Sequence, residues 1–181
     1  TLWRARSLSS SYLALNLPCG YKLDISISPG GSVTASKIVD VQSERSAFEQ
    51  RLFENSGVQG VLSDVRSARD VPSALEEASF RLGRVQGLLR EVDALSSKFL
   101  TRTCVSADDK TQVILTVLNP AANNKFNVRI NVPWHYPSGR MQYSSEALFG
   151  ELDEERIGDA FVRNSCGRNR LTRIASELSA H

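Results

Sequence analysis

The sequence predicts an α+β chain of two small lobes, each an antiparallel meander with helices, joined by a long central helix. Three observations carry that expectation. Apolar and polar residues alternate in two separate blocks, at 21–27 and again at 126–132, and a period of two marks a strand with one buried face. Between the blocks, Val71, Leu75, Ala78, Leu82, Val85, Leu89 and Val92 step by 4, 3, 4, 3, 4 and 3, which is helical spacing. Strands grouped in meanders, with helices set apart from them, argue against a parallel βαβ sheet. The lobes are expected at 1–70 and 71–181, with the long helix opening the second.

Residues 2–42 read as a meander of up to four strands. Trp3, Ala5 and Ser7 suggest a short first strand, with Arg4 and Arg6 pointing the other way. Tyr12, Leu13, Leu15 and Leu17 follow, and Pro18-Cys19-Gly20 breaks the run. Tyr21, Leu23, Ile25 and Ile27 alternate strictly with Lys22, Asp24, Ser26 and Ser28. Pro29-Gly30-Gly31-Ser32 supplies a turn, because glycine reaches positive φ without a Cβ clash. Val33, Ala35, Val39 and Val41 then form the next apolar row, with Lys37 its odd member. Helical spacing of Phe48 and Leu52 begins after Glu44, and Gly57 or Gly60 is expected to interrupt it before Val58, Val61, Leu62 and Val65.

The helix over 72–100 opens with Pro72, tolerated in a first turn, and with Glu76 and Glu77, which suit the positive end of the dipole. Leu88 and Leu95 add a second apolar row, so the buried stripe Leu75–Leu82–Leu89 is wider than a coiled-coil seam. Three strands are expected next, ending at Val105, over 113–118 and over 126–132. Turn residues 107–109 and 119–124 separate them. Pro133-Trp134-His135-Tyr136-Pro137-Ser138-Gly139 is a loop. Asp153-Glu154-Glu155 opens a helix through Ile157, Phe161 and Val162. A last helix near 169–178 turns Leu171, Ile174, Ala175 and Leu178 inward.

At 181 residues and 41% hydrophobic composition, the chain can build a core without metal or disulfide staples. Its 22 basic and 20 acidic residues leave a net charge of +2, too near zero to argue for a nucleic-acid or membrane partner. No charged-then-apolar leader and no long apolar run occur, so an intracellular, soluble chain is expected. Three widely spaced cysteines, Cys19, Cys104 and Cys166, make neither a disulfide framework nor a Cys-x-x-Cys metal pair. Of two histidines, His181 is terminal and His135 sits in the proline-rich loop. No Gly-x-Ser-x-Gly elbow, calcium loop or phosphate-binding Gly-Lys-Ser/Thr accompanies them. No catalytic residue, metal or cofactor is therefore expected. Arg163, Arg168, Arg170 and Arg173 form a basic cluster that could meet phosphates, which makes DNA binding an alternative. A solvated helix face explains the same arginines.

Tyr136-Pro137 after strands, followed by two helices, resembles the RWD fold, whose mark is a Tyr-Pro-x-x-x-Pro turn after the third strand. Met141 replaces the final proline here. Three stretches resemble the C-terminal region of the outer-kinetochore scaffold of the blinkin (kinetochore-null) family, part of the KMN network. They are 37–41 (Lys-Ile-Val-Asp-Val), 71–79 (Val-Pro-Ser-Ala-Leu-Glu-Glu-Ala-Ser), and 125–128 (Lys-Phe-Asn-Val) leading to 134–138 (Trp-His-Tyr-Pro-Ser). The resemblance implies two tandem RWD lobes in the nucleus, at the centromere and kinetochore. It implies docking on the MIND complex through a subunit's C-terminal tail, alongside other kinetochore proteins and in the service of mitosis. RWD folds are related to ubiquitin-conjugating enzymes, but that chemistry needs a His-Pro-Asn triplet, which is absent, and a polarised cysteine. Cys166 has no histidine or lysine beside it in sequence, which leaves conjugation the least favoured alternative.

A meander leaves backbone donors and acceptors open at its edges, and an extended tail can add a strand there. The expected acceptor is the strand 33–41, through Val33, Ala35, Val39 and Val41. Phe53, off the Phe48–Leu52 row, would line the groove with Val58 and Val61; the competing reading is that Phe53 packs in the lobe's own core.

Overall fold

The computed structural model describes residues 4–9, 11–41, 44–120 and 123–180, with the backbone alone at Arg4, Ala5 and Leu8. Trp3 and His181, named above, and Ala121 and Ala122 of the expected turn lie outside the described residues. The chain divides into two compact units, Thr1–Gln86 and Gly87–His181, and is mixed α+β with one four-stranded antiparallel sheet in each.

The first sheet runs β1 (Arg4–Leu8), β2 (Tyr12–Asn16), β3 (Tyr21–Ile27) and β4 (Val33–Asp40), in that spatial order. Leu15 pairs with Leu23 and Leu13 with Ile25, so the apolar members of β2 and β3 share one face. That face is closed by α1 (Ala47–Asn55), α2 (Val58–Ser63) and the first part of α3 (Val71–Ser96). Ser46 begins α1 with a capping box: its hydroxyl accepts from the Glu49 N–H at 3.2 Å, and the Glu49 carboxylate accepts from the Ser46 N–H at 3.0 Å. Both orphan donors of the helix start are thereby satisfied. Gly57, with φ of 67°, separates α1 from α2. An added Cβ there would lie 2.9 Å from Arg81 Nη1, the movable tip of a side chain, so it is the positive φ that favours glycine at the break.

The division at Gln86/Gly87 differs from the expected 70/71 boundary. Val71, Leu75, Ala78 and Leu82 belong to the same core cluster as Leu15, Leu23, Ile25 and Leu62. Residues 71–86 therefore complete the first unit instead of opening the second. The buried stripe also drifts. Leu75 and Leu82 are buried, but Leu89 is only half-buried, and Leu88, Val92 and Leu95 carry the buried face beyond it. A straight α-helix advances about 20° per seven residues relative to a heptad repeat, so a seven-step row cannot stay on one face. The helix ends at Ser96, four residues before the expected limit, because Leu100 already begins β5.

The second sheet runs β5 (Leu100–Val105), β6 (Thr111–Asn119), β7 (Asn124–Asn131) and β8 (Gln142–Phe149). Three strands were expected, and β8 is the fourth. Val113, Leu115 and Val117 pair with Ile130, Val128 and Phe126, so all six buried side chains share one face. On the other face of β6, Leu118 is exposed. Two helices follow, α4 (Glu154–Arg163) and α5 (Arg170–Ser179). The Asp153 carboxylate accepts from the Arg156 N–H at 2.9 Å and caps α4. Ile157, Ala160 and Phe161 are buried from α4, as are Leu171, Ile174, Ala175 and Leu178 from α5.

Candidate functional site

The expected acceptor residues do not converge on one surface. β4 is the terminal strand of its sheet, and its pairing with β3 sets Ile38 opposite Leu23. Residues directly opposite in an antiparallel pair project to the same side. Ile38 therefore packs on the core, whereas Ala35, Lys37 and Val39 project to the outer face with Ser26, Asp24 and Lys22. Ala35 is exposed. Val39 is half-buried in a shallow outer hollow beside Arg6, Tyr12, Lys22 and Asp24. Tyr12 donates its hydroxyl to Asp24 across that hollow at 2.7 Å.

Val33 escapes the outer row through a register shift between Ser26 and Ile27, and packs against the core. Its N–H is already taken by the Arg66 carbonyl at 2.9 Å. Val41 lies just past β4, with its N–H bonded to the Gly20 carbonyl at 3.1 Å. Val58 is fully buried and Val61 half-buried. Phe53 packs against the same core, stacked on Tyr21 with ring centroids 3.9 Å apart. The far side of Tyr21 carries the Arg45 guanidinium, 4.2 Å from the ring centroid. Arg45 is held there by Asp40 at 2.5 Å. Burial pushes the Tyr21 hydroxyl up to about 12 despite the neighbouring cation. Phe53 is thus a core-packing ring. A groove made of these seven residues is not formed, because β4 splits them between two faces.

The loop after β7 is organised from within the second unit. Tyr136 is buried, and Tyr136-Pro137 is a cis peptide. The Tyr136 hydroxyl donates to Glu91 Oε2 at 2.5 Å and accepts from the Leu171 N–H at 3.2 Å. The other carboxylate oxygen of Glu91 accepts from the Thr172 N–H at 2.9 Å and from its hydroxyl at 3.2 Å. Asn169, the residue before α5, makes no side-chain cap. Glu91 and Tyr136 therefore satisfy the orphan donors at the start of α5, and the carboxylate faces the positive end of its dipole. Burial, then the bond to Glu91, raises the Tyr136 pKa.

Arg170 ties the same loop to the end of α4. Its Nε donates to the Asn164 carbonyl at 3.0 Å, and its Nη1 to the carbonyls of Pro137 and Gly139, both at 2.7 Å. His135 lies in this loop edge-on to Trp134, at 5.2 Å between centroids. A Cβ on Gly139, whose φ is 85°, would fall 2.1 Å from the His135 ring. Beside the loop, between β8 and α4, runs a groove of about 500 Å³ lined by Arg140, Met141, Tyr143, Phe161, Val162 and Arg170, among others. Tyr143 stacks on Phe161 at 4.0 Å to form its floor. Sequence reasoning missed this surface together with β8. The signal available was weak: Tyr143, Ser145, Ala147 and Phe149 recur at period two.

The basic cluster is largely engaged by the chain itself. Arg163 pairs with Asp159 at 2.8 Å and Glu177 at 2.7 Å, Arg170 is buried, and Arg173 donates to the Cys166 carbonyl. Cys19, Cys104 and Cys166 are not joined in disulfides. Among the described residues, no three His, Cys, Asp or Glu side chains are grouped to hold a metal ion. Among them too, no helix is long and apolar enough to cross a membrane. Compared with known proteins, the chain matches no family model and no curated sequence.

Proposed function

We propose that this chain is a non-catalytic protein-interaction module of two RWD-like lobes, belonging to an outer-kinetochore scaffold of the blinkin family. It docks that scaffold onto the MIND complex through a subunit's C-terminal tail, at the centromere, for chromosome segregation and checkpoint signalling. One observation carries the reading. In the second unit Tyr136-Pro137 lies between the third and fourth strands of a meander that two helices follow, the position at which the RWD mark is expected. The Tyr136 hydroxyl joins the last helix to Glu91, so the Tyr-Pro pair has a structural reason to be where it is. The stretches that carry the resemblance fall on β4, on the first turns of α3, on β7 and on the loop after it.

The reading is tested in mitotic cells expressing the tagged chain. Foci at centromeres that vanish when the MIND complex is depleted are the expected result. A diffuse signal, or foci that persist after depletion, contradicts it.

A further inference from the structure

We propose that the groove beside β8 takes an extended acidic peptide, which adds to the second sheet as a fifth strand and seats a carboxylate between Arg140 and Arg170. The proposal deepens the interaction-module reading and rests on it, but not on the MIND complex being the partner. Three independent features of the second unit lead to it.

The first is an open edge. Among the described residues β8 pairs only with β7, and no backbone group outside the sheet bonds to 142–149. Edge strands are ordinarily blunted by lysine, proline or a bulge. β8 has no proline and no lysine, and its one charged residue, Glu146, pairs with Arg129 at 2.8 Å. Its register irregularity lies at the far end, opposite Lys125 and Phe126, which leaves 142–146 regular. The edge of β4 differs, because the Val33 N–H is already bonded to Arg66.

The second is an apolar bed along that edge. The Tyr143–Phe161 stack forms the floor, and Val162 of α4 stands beside it, 72% exposed. Gly158 has no side chain to fill the space, and a Cβ there would meet the Tyr143 hydroxyl at 3.2 Å. A strand laid on β8 presents alternate side chains to such a bed.

The third is uncompensated positive charge. Arg170 is 3% exposed, and its bonds to Asn164, Pro137 and Gly139 all end on carbonyls. Among the described residues neither Arg170 nor Arg140 has a carboxylate partner. Two other arginines of the unit do: Arg163 has Asp159 and Glu177, and Arg129 has Glu146. A buried cation surrounded by neutral acceptors is costly, and an incoming carboxylate offsets that cost. The chemistry selects an acidic peptide over a basic or purely apolar one.

The test pans a displayed library of random 12-residue peptides against the whole chain, then measures the selected synthetic peptides by fluorescence anisotropy and amide exchange. The expected peptides carry Asp or Glu flanked by apolar residues at alternate positions, and they slow exchange over 142–149. Arg140→Glu and Val162→Glu, both surface changes, each weaken binding about tenfold or more, equivalent to roughly 1.4 kcal/mol, without moving the melting temperature. Several results overturn the proposal: no enriched peptide, enrichment without acidic residues, indifference to both variants, protection over 33–40 instead, or a chain that pairs β8 with a second copy of itself. Full displacement of the peptides by millimolar inorganic phosphate also overturns it, since the site would then be a small-anion pocket.

Discussion

Tyr136 shows how a single hydroxyl can hold a loop and a helix start together. It gives one hydrogen bond to the Glu91 carboxylate and receives one from the Leu171 N–H, so Tyr136→Phe leaves two buried groups without that partner. Loss of a bond to a charged group costs roughly 1.5–3 kcal/mol, and urea unfolding of the variant should fall in that range. Ionisation supplies a second readout. The Tyr136 pKa is raised by burial, and that of Tyr21 is pushed up to about 12. The unfolded chain therefore releases these protons first as pH rises above about 10. Their stabilisation is complete below that pH and is lost as it climbs toward the folded values. Stability should decline between pH 10 and 12, and Tyr136→Phe should flatten the decline without abolishing it, since Tyr21 remains. A variant as stable as the parent, with an unchanged alkaline slope, would remove Tyr136 from this role.

At the level of elements, α3 provides the sharpest contrast. Leu82 is fully buried whereas Leu89 is half-buried, although both fall on the same seven-step row. Leu82→Ala should cost about 2–5 kcal/mol, as cavity-forming changes do, and Leu89→Ala distinctly less. Equal losses in urea unfolding would mean that the row does not drift. The same elements explain what could be read in the sequence. β3 and α3 were legible because each has one wet and one buried face, and the period of its apolar residues reports that face directly. β8 was not legible, since an edge strand with little burial needs few apolar residues and Gln142–Phe149 has only a faint alternation. The inward residue of β4 was misread for another reason. Its apolar row Ala35, Val39 and Val41 suggested one face, but pairing with Leu23 turns Ile38 inward. The stacking of Phe53 on Tyr21 joins residues 32 positions apart, beyond any local pattern. The expected groove depended on pairing between elements, which no local pattern reports, and missing β8 took the groove beside it out of view.

Across the whole molecule, two cores follow one another along the chain, and the boundary between them has a direct consequence. The first core uses Leu75, Ala78 and Leu82, so a fragment ending at Gln86 should fold, with dispersed amide resonances and a cooperative melt. A fragment ending at Asp70 lacks those three residues and should not. Two equally well-folded fragments would return the boundary to 70/71. The net charge is only +2, and within the basic cluster Arg163 and Arg173 are engaged by the chain itself. Isothermal titration of the chain with purified MIND complex tests the proposed docking most directly. The account predicts saturable one-to-one binding at micromolar affinity or tighter, abolished when the subunit's C-terminal tail is removed. No heat of binding, or binding indifferent to loss of the tail, would contradict it.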